Sequence, residues 1–115
     1  MKLPEKLIDM IEDADFSVHE VDGNIIEFGK YSSMGQDFNF CVDTEESLEY
    51  FLNNVLACYQ DFDVSYEAYL WLDNTGHGKN GAPYKMIDVY RDMEECQEYI
   101  MELYHIVDTY CEEEE

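Results

Sequence analysis

The chain has 115 residues, of which 28 are Asp or Glu and only six Lys or Arg, giving a formal net charge of −22. It is still 46% hydrophobic and 15% aromatic, which excludes a disordered acidic tail and predicts one domain with a single core. Self-repulsion argues against direct binding to nucleic acid or to an anionic membrane and points instead to a basic protein partner.

Leu3, Leu7, Ile8, Ile11 and Ala14 recur at helical spacing between acids, with Pro4 suited to a first turn, and predict a short N-terminal helix. From Phe16 onward β-favouring residues take over, punctuated by Asp22-Gly23-Asn24 and Gly35, so two or three antiparallel strands are expected. Phe38, Phe40 and Val42 alternate with Asn39, Cys41 and Asp43, which buries one face of that strand. Thr44 or Asp43 is expected to cap a second helix whose apolar stripe is Leu48, Phe51, Leu52, Val55, Cys58, Tyr59 and Phe62.

Residues 64–73 alternate cleanly at positions 64, 66, 68, 70 and 72 and read as a strand, although a helical turn fits them too. Residues 74–83 form a glycine-rich loop, followed by a short helix through Met86, Ile87, Val89 and Tyr90. Asp92 and Glu95 then make a capping-box-like start for a last helix carrying Met93, Cys96, Ile100, Leu103, Val107 and Tyr110 as its seam. The expected fold is α+β, a small antiparallel sheet with helices packed on one face. Residues 1–111 read as the domain and 112–115 as an acidic tail.

The apolar runs are too short to span a bilayer, and the segment Met1-Lys2-Leu3-Pro4-Glu5 lacks the apolar region of a signal peptide, so a cytoplasmic location is expected. Cys41, Cys58, Cys96 and Cys111 are dispersed, with no metal-ligand spacing, and read as reduced packing residues. His19 and His105 stand apart from any nucleophile, so neither catalysis nor a cofactor or metal is expected.

Charge is concentrated in two blocks. Residues 43–78 hold eight acids and residues 92–115 ten, with no Lys or Arg in either. Duplex DNA carries one charge per roughly 1.7 Å, so 22 charges match about 37 Å of duplex, close to the width expected of a 115-residue domain. Solubility needs a net charge of only about 2–8. Glu45, Glu46, Glu49, Asp61, Asp63, Glu94, Glu95, Glu98, Glu102 and Asp108 are the candidate partner-binding residues. Adaptation to high salt and plain solubility are the alternatives to a functional acidic face.

Gly76, His77, Gly78, Lys79, Asn80 and Gly81 form the most distinctive loop, structural or in contact with a partner. It lacks the Ser or Thr after Gly78-Lys79 that a phosphate-binding loop requires, and it fails the spacing of a calcium loop. Lys79, Lys85 and Arg91 would pin the acidic helices to it.

The composition, the two acidic blocks, the Glu112-Glu113-Glu114-Glu115 tail and the segment from Leu70-Trp71-Leu72-Asp73 to Gly76-His77-Gly78-Lys79-Asn80-Gly81-Ala82-Pro83 carry a resemblance. In these the chain resembles the small acidic accessory proteins of bacterial phages and mobile elements, several of which inhibit restriction or CRISPR enzymes by occupying a DNA-binding groove. The resemblance implies a DNA mimic with a DNA-binding protein or nuclease as partner, and it transfers no individual site residue. An immunity protein or antitoxin against a basic toxin, or a small-ligand or phosphate-binding module built on residues 76–84, are the other readings. A homodimer stays open.

Overall fold

A computed structural model describes residues 2–72, 74–78 and 83–113. The elements in chain order are α1 (Glu5–Asp13), β1 (Ser17–Asp22), β2 (Ile25–Tyr31), β3 (Asp37–Asp43), α2 (Leu48–Asp61), α3 (Val64–Leu70) and α4 (Met86–Glu113). The strands form an antiparallel meander in the order β1-β2-β3, confirming the α+β class.

The register places Val18 opposite Phe28 and aligns Ile26 with Val42 and Phe28 with Phe40. Side chains alternate across a strand, so these residues share the face that meets the helices. The opposite face carries His19, Asn39, Cys41 and Asp43, all exposed. Gly35, with a φ of +86°, closes the β2–β3 turn, where the Ser32 amide donates to the Gln36 carbonyl at 2.9 Å.

Helix α4 organises the molecule. At 1.5 Å per residue its 28 residues extend about 42 Å, which sets the 50 Å long axis of a particle 23 × 22 Å across. Its seam of Val89, Met93, Cys96, Ile100, Leu103 and Val107 is fully buried, each large aliphatic contributing about 1.5–3 kcal/mol by leaving water. Helix α2 packs antiparallel to it. Leu48 and Tyr110 line the same cleft at one end, while at the other Gln97 donates to the Phe62 carbonyl.

Four expectations are corrected. Residues 64–70 are helical because Asp63 caps them, its carboxylate accepting from the Tyr66 amide at 3.2 Å, while Ala68 is buried. Helix α2 starts at Leu48 with Ser47 as cap; Thr44 is buried and bonds the Asn24 carbonyl instead. No break precedes Asp92, since a single helix runs from Met86 to Glu113 and Asp92 is an interior residue of it. Cys41 is exposed rather than packed, although all four cysteines are free thiols.

Candidate partner-binding surface

The acidic candidates divide by what their carboxylates already do. Glu46, Glu49, Asp61, Glu94 and Glu98 are exposed. Glu45 is exposed at a positive φ of 50°, its amide bonded to Asp43. Asp63 is committed to capping α3, and Asp108 is half-buried beside α2.

Glu95 and Glu102 are structural. Glu95 accepts from the Ser33 hydroxyl at 2.6 Å, from the Ser33 amide at 3.1 Å and from the Tyr99 hydroxyl. Burial raises its pKa, but these donors and Lys30 outweigh that and hold it below the ordinary value. The same bond, with burial as the larger cause, pushes the Tyr99 phenol up. Glu102 pairs with Lys30 at 2.6 Å.

Lys30 thus pins an acidic helix. Its ammonium also donates to the Ala14 carbonyl at 2.9 Å and lies 4.8 Å from the ring centres of both Phe16 and Tyr99. Lys85 and Arg91, expected in that role, are exposed and form no ion pair with a described residue. Lys79 lies outside the described residues, as do Asn80 and Gly81.

The rest of the loop is held by its own contacts. Gly76 has a φ of +85°, Gly78 bridges Leu72 and bonds the Tyr84 carbonyl, and the His77 ring stacks on Tyr84 with centroids 4.1 Å apart. His77 therefore presents its ring to Tyr84.

A buried network lies behind the acidic face. Asp92 is 2% exposed; its Oδ2 accepts from the Ser32 hydroxyl at 2.8 Å and, with the amide oriented to satisfy its neighbours, from Gln36 at 3.0 Å. Gln36 in turn accepts from the Trp71 indole at 3.1 Å, tying the β2–β3 turn, α3 and α4 together. Asp92 Oδ1 is buried without a hydrogen-bond partner among the described residues. Burial pushes the Asp92 carboxyl up, the Ser32 bond opposing it and Glu95 reinforcing it. The sequence signal for this burial is the spacing of Val89, Asp92, Met93 and Cys96, which places Asp92 on the apolar stripe.

Some exposed apolar side chains group together, while Val21, Tyr31, Met34, Tyr50 and Tyr84 are scattered elsewhere on the surface. Tyr66, Tyr69 and Leu70 form one exposed row on α3, and Met86, Ile87 and Tyr90 are exposed on the first turns of α4. Among the described residues no group of His, Cys, Asp and Glu is arranged to hold a metal ion, and no helix is long and apolar enough to cross a membrane. Comparison with family profiles, curated proteins and solved structures finds no match to this chain.

Proposed function

We propose that this chain is a non-enzymatic acidic protein that binds a basic surface of a nucleic-acid-processing protein, acting as a DNA mimic that inhibits a host defence enzyme. The observation that carries this reading is the set of exposed carboxylates on α4 and at the start of α2 of an elongated body, in two sequence blocks that hold no Lys or Arg. Glu94 and Glu98 line α4, Glu46 and Glu49 flank the start of α2, and no Lys or Arg occurs in residues 43–78 or 92–115. Duplex DNA 50 Å long carries about 29 charges, against a net 22 over the same length here. The charge density is therefore about three-quarters that of duplex, lower than a spherical domain would give but in the range where opposite fields steer association.

Capture of partners from a host lysate at low ionic strength tests the reading. The expected partner is a basic DNA-binding protein or nuclease that salt elutes and duplex DNA displaces; recovery of no basic protein would overturn it.

A second reading, an immunity protein or antitoxin covering one basic toxin, is favoured by the exposed Tyr66, Tyr69 and Leu70 row, since tyrosines dominate tight protein interfaces. A single partner indifferent to DNA competition would separate it from mimicry.

A further inference from the structure

The two acidic blocks pack against each other where α2 and α3 lie on α4, with Gln97 bonding the Phe62 carbonyl at one end of the α2–α4 pair and a cleft at the other. Where the first turns of α2 pass the last turns of α4, they enclose a cleft of about 410 Å³. Leu48, Leu52 and Tyr110 supply apolar wall, while Glu49, Asp108 and Glu112 stand around it. Neither helix contributes a cation there, because α2 has no Lys or Arg and α4 has none beyond Arg91. We propose that this cleft is the anchor point for an arginine side chain of the basic partner.

The occupant follows from complementarity. An apolar wall suits the aliphatic stem of a long side chain, and carboxylates from both helices suit a planar guanidinium with five donors, which is more weakly hydrated than an ammonium and costs less to desolvate. A second copy of the chain, itself at −22, is the wrong occupant, since its approach brings like charges together. The inference rests on the basic-partner reading and deepens it: exposed carboxylates on α4 would steer the encounter, and the cleft would hold the complex once formed.

The test uses the full chain and an octa-arginine peptide, capped at both ends, as the probe, followed by two-dimensional amide NMR at physiological salt. The largest shifts are expected at residues 48–52 and 108–112. Glu49→Gln with Asp108→Asn should weaken binding about tenfold, whereas Glu94→Gln with Glu98→Gln should weaken it less than about threefold; matched thermal melts keep folding out of the comparison. Shifts centred on residues 94–98, or equal weakening by the two variants, would overturn the cleft while leaving the basic-partner reading intact. Absence of binding even at 20 mM salt would overturn both, and a homodimer in sedimentation equilibrium that covers residues 48–52 would overturn the cleft alone.

Discussion

Ser32 Oγ donates to Asp92 Oδ2 across 2.8 Å, joining residues sixty apart in the chain. The bond fastens the β2–β3 turn to α4, and the Ser32 hydroxyl also accepts from the Gln36 amide at 3.1 Å. Ser32→Ala removes a donor from a buried carboxylate and is expected to destabilise by about 1–3 kcal/mol in urea unfolding at neutral pH.

Burial raises the folded-state pKa of Asp92, and the sign of the resulting pH dependence is fixed. The folded chain retains a proton at a pH where the unfolded chain has released it, so this contribution is fully present below the unfolded value and is lost as pH rises through the folded one. Asp92→Asn does not titrate. The stability difference, wild type minus variant, should fall as pH rises above the ordinary carboxylate range; a difference constant with pH would contradict the assignment.

Lys30 gathers Glu102, the Ala14 carbonyl and two aromatic rings around a side chain only 16% exposed. Lys30→Met keeps the stem and removes the charge, and a loss of about 1.5–3 kcal/mol is expected from the charged hydrogen bonds. Glu102 is 45% exposed, so Glu102→Gln should cost under about 1 kcal/mol. Equal losses in the two variants, measured by thermal unfolding, would show that the exposed ion pair alone accounts for the role of Lys30.

The α3 cap offers a local test. Asp63→Ala should destabilise by about 1 kcal/mol, and amide exchange in residues 64–70 should accelerate more than in α4. Unchanged exchange would argue that the cap contributes nothing.

Thiol accessibility follows the packing. Cys41 is exposed and Cys96 fully buried, with burial as the first cause and Asp92, Glu95 and Glu67 as further causes pushing the Cys96 thiol up. Under native conditions iodoacetamide should label Cys41 first and Cys96 only on global unfolding, as read by mass spectrometry. Early labelling of Cys96 would contradict the position of the α4 seam.

The legible parts of this fold are the long periodic ones. The α4 seam repeats at three and four over five turns, and the strand alternation of Phe38, Phe40 and Val42 is unambiguous, so both emerge from spacing alone. Residues 64–70 do not, because seven residues satisfy period two and a helical turn alike; the decisive signal was Asp63, one position before the helix. The Asp92/Glu95 pair has the spacing of a cap, yet the acid at its head points into the core, where Ser32 and Gln36 supply donors from another element. Local pattern cannot register donors that arrive through tertiary packing. The acidic faces were readable as composition, whereas the cleft at Leu48, Leu52 and Tyr110 depends on α2 running antiparallel to α4.

Selection of a basic partner by uncompensated carboxylates, rather than by bulk acidity, is the core of the proposed function. It is tested most directly by measuring, across a salt series, the affinity of a partner captured from lysate for the wild type and for a variant with Glu46, Glu49, Glu94 and Glu98 all changed to Gln. Wild-type affinity is expected to fall steeply between 50 and 200 mM salt, by roughly 10³-fold if six or more charges are engaged as on a nucleic acid, and the variant to be weaker with a shallower slope. Equal affinity and equal salt dependence for the two proteins would contradict it.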